Sequence, residues 1–124
     1  MVVSALRMSA SLERMGDLAR HLATVARLRY PAVAVPEPLA GTFAEMHDAA
    51  ARVARQVTRV LANHYLGLAQ AIEADDDRID RLHAATFGAT LDPGLTRRQV
   101  VDVTLCARYY ERFGDHGVSV ARRV

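Results

Sequence analysis

Carboxylate side chains recur along this chain in pairs whose members are four residues apart. At that spacing two side chains share one face of an α-helix, where like charges destabilise the helix by roughly a few tenths of a kcal/mol per pair. Three pairs with this spacing are Glu13 and Asp17, Asp76 and Asp80, and Glu111 and Asp115. Because an unfavourable arrangement is repeated, we expect cations to neutralise these carboxylates.

Ion pairing to arginine is one way to neutralise them. Arg20 lies three residues after Asp17, and Arg108 lies three residues before Glu111, so each arginine can reach its carboxylate on the same helix. The middle pair has no arginine three or four residues away, so only an arginine from another helix would serve it. The sequence therefore explains two of the pairs locally and leaves the third open.

A bound metal ion is the second explanation. Clusters of carboxylate oxygens on facing helices suit hard or borderline cations such as Mg, Mn, Fe or Zn. If the helices that carry the second and third pairs are neighbours, their four side chains converge on one site. The candidate metal ligands there are Asp76, Asp80, Glu111 and Asp115. Metal binding and a plain ion-pair network are both compatible with the residue pattern.

Histidines near these pairs offer a variant of the metal hypothesis. Asp80 and His83 are three residues apart, which is a crude analogue of the Glu-x-x-His ligand pair of di-iron helical bundles. The sequence has one such pair only, so a surface role for His83 is the alternative. His116 directly follows Asp115 and is either an extra ligand or a solvated side chain. No nucleophile–base arrangement or phosphate-cradling glycine loop accompanies them, so we do not expect an enzyme.

Four amphipathic helices are predicted to position these residues. Apolar residues at intervals of three and four predict helices over about 2–29, 39–63 and 68–87, and a fourth from 97 to the chain end. No strand-like alternation competes with them, so the predicted fold is an all-α, antiparallel helical bundle. The predicted buried stripe of the second helix is Phe43, Met46, Ala50, Val53, Val57, Val60 and Leu61.

Turn and cap residues predict where the helices end. Gly67 or its neighbours break the chain after the second helix, and Gly88 is predicted to stop the third. Asp-Pro-Gly at 92–94 is a turn signal. Thr96 and Gln99 have the spacing of a capping box, in which each side chain accepts a hydrogen bond from a free backbone N–H at the helix start.

The composition predicts a soluble, cytoplasmic protein. A length of 124 residues allows one domain, and 51% hydrophobic residues with a net charge of +2 exclude a disordered chain. All basic residues are arginines interleaved with acidic ones, so we do not expect a nucleic-acid partner. Cys106 lies in an apolar stretch and is predicted to be a packed, inert thiol. With no apolar run of about 20 residues and no signal-peptide layout, the chain is not expected to span a membrane.

The first and last helices share a pentapeptide. Glu-Arg-Met-Gly-Asp at 13–17 recurs as Glu-Arg-Phe-Gly-Asp at 111–115. Internal similarity of this kind predicts that the two helices occupy equivalent places in two structural repeats. Glycine in mid-helix costs about 1 kcal/mol relative to alanine, so Gly16 and Gly114 predict the close approach of another helix or of a ligand.

Only the second of those repeats is predicted to be complete. Residues 37–124 form a three-helix repeat, whereas residues 1–30 are predicted to be the last helix of a preceding, truncated repeat. The chain also begins inside an apolar helical pattern. We therefore expect the apolar face of the first helix to pack on the bundle, on a second copy of the chain, or on both. The expected assembly is a homodimer.

These motifs resemble those of the PhoU family of phosphate-specific transport system accessory proteins. The resemblance rests on residues 12–17 and 106–116, which contain the two pentapeptides, and on Asp-Asp-Arg-Ile-Asp at 76–80, and it covers essentially the whole chain. The lack of lysine would suit an actinobacterial member. For the fold, the resemblance implies a tandem pair of three-helix bundles, of which this chain lacks the first two helices.

The resemblance also implies a function. Such proteins are negative regulators of the phosphate-starvation response, and they link the ATP-binding subunit of the phosphate transporter to a membrane sensor histidine kinase. Some members carry metal ions on E/D-x-x-x-D motifs. Carried over by position, the ligands are Asp76, Asp80, Glu111 and Asp115 for one site and Glu13 and Asp17 for another. A metal-free helical adaptor or oligomerisation module and a di-iron-type metalloprotein are the alternatives.

Overall fold

A computed structural model describes residues 2–63 and 66–124, and four α-helices contain most of them. The helices are α1 (Val2–Arg29), α2 (Ala40–Asn63), α3 (Ala69–Ala89) and α4 (Arg97–Arg123). Short 3-10 turns at Glu37–Leu39 and Leu66–Leu68 precede α2 and α3, and no strand occurs in the described ranges. The predicted all-α fold is confirmed, with helix boundaries within about two residues of those predicted.

The start of α4 and the end of α3 show how well local signals predict boundaries. The capping box is confirmed, because the Gln99 amide donates to Thr96 Oγ1 at 3.1 Å and the Thr96 amide donates to Gln99 Oε1 at 2.8 Å. The predicted end of this helix at residue 87, with Gly88 as the stop, is two residues too early. No described glycine has a positive φ, so Gly88 stays helical. The helix ends after Ala89 instead, where the Thr90 amide still donates to the Thr86 carbonyl at 3.0 Å.

The helices pack as an antiparallel bundle. Arg52 of α2 pairs with Asp75 of α3 at 3.0 Å, and Arg78 of α3 pairs with Glu45 of α2 at 3.0 Å, which fixes their opposite directions. α4 contacts α2 and α3, and α1 packs mainly along α4. The largest fully buried side chains are Met46, Ile72, Ile79, Val53, Val60, Val103, Val120 and Thr86. Most of the stripe predicted for α2 is therefore core, with Leu61 half-buried.

An ion pair joins the end of α1 to the start of α4. Arg29 donates from Nε to Asp102 Oδ2 at 2.7 Å and from Nη2 to Asp102 Oδ1 at 3.1 Å. The Asp102 residue is only 3% exposed. The hydrogen bond to this carboxylate raises the pKa of Arg29. The two helices are thus held in antiparallel register by a bidentate contact at one end.

Candidate metal centre

Three carboxylates from two helices meet between α3 and α4. Asp76 and Asp80 of α3 and Asp115 of α4 each offer one oxygen, and these oxygens all lie within 4.8 Å of one another. Cation–oxygen distances of about 2.0–2.6 Å allow two ligands of one ion to lie up to about 5 Å apart. The arrangement is therefore compatible with a single cation bound by carboxylate oxygens.

Gly114 lets the two helices approach closely enough to build this cluster. A Cβ atom at Gly114 would overlap Oδ1 of Asp76 and would lie 3.3 Å from Cδ1 of Ile79. The corresponding Gly16 has no atom within 4 Å of the same position. The predicted close approach is confirmed at Gly114 and is wrong at Gly16, because that side of α1 faces no other helix in the part of the chain that the structure describes.

Asp76 has the least favourable environment in the cluster. The residue is 9% exposed, and its Oδ1 has no hydrogen-bond partner within residues 2–63 and 66–124. Burial, followed by the negative charges of Asp80 and Asp115, raises its pKa to about 7. A hydrogen bond between Asp76 and Asp115 forms only when one of them holds a proton. At neutral pH, Asp76 therefore needs either a proton or a cation.

The neighbouring carboxylates are perturbed in the same direction. Burial and then the charge of Asp115 raise the pKa of Asp80. Burial, followed by a hydrogen bond with Asp115, raises the pKa of Glu111 to about 7, although the ion pair with Arg108 opposes the shift. Glu111 thus lies beside Asp115 and is bound to arginine, outside the group of three oxygens. The predicted Arg108–Glu111 ion pair is confirmed.

The other predicted ligands lie apart from this cluster. Asp17 of α1 forms the predicted ion pair with Arg20 at 2.7 Å, and Glu13 is exposed. Neither belongs to a group of three potential ligands in the described ranges. The structure brings the carboxylates of α3 and α4 together and does not bring those of α1 to the same place.

Two histidines, one in α3 and one in α4, are candidate additional ligands. His83 of α3 packs against Phe87 with ring centroids 4.9 Å apart, and burial followed by the charge of Arg108 lowers its pKa. The negative charges of Asp80 and Asp115 raise the pKa of His83 and so oppose this shift. His83 therefore lies near the cluster, but it does not belong to the group of three ligands. Burial, and then Arg112 and Arg14, lower the pKa of His116. Both rings are half-buried.

A polar cavity gives solvent access to the cluster. Its volume is about 530 Å³, and its lining residues are Asp76, Asp115, Val118, Ser119, Arg122 and Arg123. Sequence reasoning missed Ser119 and Arg122. Their spacing from Asp115, at four and seven residues, is the signal that places them on its helix face.

Cys106 is buried, and burial raises the pKa of its thiol to about 11, in agreement with the predicted inert thiol.

The raised carboxyl pKa values predict that the stability of the metal-free protein falls as the pH rises. Asp76 and Glu111 have pKa values of about 7 in the folded state, whereas the ordinary pKa values of these side chains are 3.8 and 4.5. At pH values between the ordinary and the raised pKa values, the folded state binds more protons than the unfolded state. The stabilisation from these groups is therefore complete below about pH 4, is lost as the pH rises towards 7, and then levels off.

Urea denaturation in EDTA measures this effect. The midpoint is expected to be lower at about pH 8 than at about pH 5, and Asp76→Asn is expected to flatten the dependence because it removes one of the two groups. An equal or higher midpoint at the alkaline pH in the parent chain would contradict the prediction.

Fold and site together define a class of protein, an all-helical bundle with a carboxylate cluster between two helices. A family model described as PhoU domain matches residues 43–124. The chain belongs to the PhoU family, as its two pentapeptides indicated. No helix among the described residues is long and apolar enough to cross a membrane. No solved structure matches the chain.

Several curated relatives align with nearly all of this chain. Phosphate-specific transport system accessory protein PhoU homolog 2 of Mycobacterium tuberculosis is 43% identical, over 99% of this chain and 59% of its own length. PhoU homolog 1 of Mycobacterium leprae is 41% identical, over 99% of this chain and 56% of its own length. The PhoU homolog of Rhizobium meliloti is 29% identical, over 99% of this chain and 53% of its own length. The chain therefore spans little more than half the length of these relatives.

Proposed function

We propose that this chain is a non-catalytic regulator of phosphate transport and a negative regulator of the phosphate-starvation response, acting in the cytoplasm. The observation that carries the proposal is its similarity to relatives named phosphate-specific transport system accessory proteins. Its proposed partners are the ATP-binding subunit of the phosphate transporter and the sensor histidine kinase. By binding one state of a partner more tightly than another, it would shift the population of that partner without chemistry of its own.

We further propose that the regulator bears a metal ion between α3 and α4. The support is Asp76, whose buried Oδ1 lacks a hydrogen-bond partner in the described ranges and points to two more carboxylates, Asp80 and Asp115. A set of oxygen ligands suits Mg or Mn as well as Fe or Zn. Glu111, beside Asp115, is the fourth proposed ligand. Glu13 and Asp17 are proposed to serve a separate site whose other ligands lie outside this chain. The cation would replace the proton that Asp76 needs at neutral pH.

We also propose that two copies of the chain associate through α1 and that residues 1–30 and 37–124 belong to successive repeats. The first turns of α1 expose large apolar side chains, with Val2 74% and Leu6 66% exposed. Burying them against a second copy would remove apolar surface from water. Light scattering that gives the mass of a monomer at high concentration would refute the dimer.

One experiment tests the metal and the partners together. Purified parent chain is expected to retain metal in elemental analysis and to gain about 2.7 kcal/mol of stability at a metal concentration one hundred times Kd. Asp76→Ala combined with Asp80→Ala should abolish both effects. The matched control is Glu37→Ala combined with Asp48→Ala, which also removes two negative charges but from exposed positions outside the carboxylate cluster.

Pull-down of the transporter ATPase and the cytoplasmic part of the kinase with the same proteins completes the test. Capture by the parent chain and the control variant, but not by the metal-free variant, would support a metal-bearing regulator. Equal capture by all three would indicate a metal-free adaptor. If no protein captures either partner, the proposed regulatory binding is wrong for this chain.

A further inference from the structure

The helix that carries the acidic cluster also carries a basic stripe. Glu111 and Asp115 lie on the side of α4 that meets α3. Arg108, Arg112 and His116 follow one another at intervals of four residues and, together with Asp115, line an adjacent small cavity on α4. A row of cationic side chains therefore runs along α4 beside the carboxylates, and Asp115 borders both groups.

α1 supplies the opposite wall of a cavity along this basic stripe. The cavity has a volume of about 200 Å³ and is lined by Arg14, Asp17, Leu18, His21, Arg108, Tyr109 and Arg112. The rings of His21 and Tyr109 stack across the helix contact, with centroids 5.4 Å apart and an angle of 27° between their planes. Both rings line the cavity together with the arginines, so the stacked pair forms part of its wall.

The charges around this cavity do not balance. Asp17 is already paired with Arg20 at 2.7 Å, and Arg108 is already paired with Glu111. Arg14 and Arg112 take part in no ion pair between the described residues. Both are also close enough to His116 for their charge to act on its ring. Two uncompensated guanidinium groups thus share one cavity, and Arg112 is half-buried.

We propose that Arg14 and Arg112 form a binding site for inorganic phosphate between α1 and α4. A guanidinium group presents a rigid fork of donors that matches the oxygens of a tetrahedral dianion, and two such groups would neutralise its charge. These arginines occupy the second position of the two pentapeptides, so the internal repeat brings one to each side of the cavity. The site lies on the α1 side of α4 and does not depend on a metal between α3 and α4.

Calorimetric titration of inorganic phosphate into the EDTA-treated protein, at physiological chloride concentration, tests the proposal. The parent chain is expected to bind phosphate saturably, and Arg14→Gln or Arg112→Gln should each weaken binding by about tenfold or more, because each removes charge-assisted hydrogen bonds. The matched control is Arg55→Gln combined with Arg59→Gln, which removes two exposed, unpaired arginines of α2 and should leave binding unchanged. Circular dichroism confirms that each variant is folded.

The metal-site variant separates this site from the proposed metal centre. Asp76→Ala combined with Asp80→Ala should retain phosphate binding, and loss of binding in that folded variant would overturn the proposal. Failure of the parent chain to bind phosphate at millimolar concentration would overturn it too. So would equal weakening by the α2 control, since binding would then reflect overall charge rather than this cavity.

Discussion

Replacing Arg29 with alanine is expected to lower the midpoint of thermal unfolding by roughly 10 °C. Asp102, which accepts two hydrogen bonds from Arg29, has a side chain that is only 4% exposed. Without Arg29 this carboxylate stays buried with no counter-charge. The cost therefore comes from desolvating an unpaired charge, and it exceeds the value of the ion pair itself. Thermal melts at neutral pH, followed by circular dichroism, measure the shift.

Asp102→Ala is the matched control for that prediction, because it breaks the same contact from the other side. The Arg29 side chain is 27% exposed and can turn its guanidinium into water, so this variant should lose less stability. Equal losses in the two variants would show that the buried, unpaired charge of Asp102 is not the cause.

Gly114→Ala is expected to destabilise the bundle by about 1–3 kcal/mol and to disrupt the carboxylate cluster. The added methyl group would overlap Oδ1 of Asp76 and press on Ile79, so α3 and α4 must move apart. This steric cost outweighs the gain of about 1 kcal/mol that alanine brings in helix propensity. Urea denaturation gives the change in the free energy of unfolding, and elemental analysis reports on the site.

Gly16→Ala tests the same substitution at the same position of the other pentapeptide. Nothing lies within 4 Å of a Cβ atom there, so only the propensity gain remains. This variant should be more stable than the parent chain by up to about 1 kcal/mol. The two alanines thus have opposite expected signs, and a common sign for both would contradict the packing difference between the motifs.

Local sequence patterns predicted the helices because each helix depends mainly on its own residues. The spacing of Phe43, Met46 and Val53 marks the face of α2 that is buried, and Thr96 and Gln99 form their cap through contacts within one turn. The stop at Gly88 failed for a different reason. Glycine ends a helix most often by adopting the left-handed conformation itself, and whether it does so depends on the path of the chain that follows.

The candidate site could be predicted only up to the contacts between helices. The spacing of Asp76 and Asp80 places them on one face of a helix, but whether Asp115 faces them depends on which helices are neighbours. Two pentapeptides that are identical at four of five positions then have different surroundings, since α3 covers one side of α4 while the equivalent side of α1 is open at Gly16. The shared cavity of Arg14 and Arg112 depends likewise on the register of α1 against α4.

The one-sided attachment of α1 has a consequence for local stability. α2, α3 and α4 all contact one another, whereas the contacts of α1 are mainly with α4. Separating α1 leaves the packing within the other three helices intact, so it requires less free energy than global unfolding. Backbone amides in α1 will therefore exchange with solvent deuterium through a sub-global opening while those in the remaining helices are still protected. A cavity bounded by α1 and α4 exists only during the closed fraction of that equilibrium.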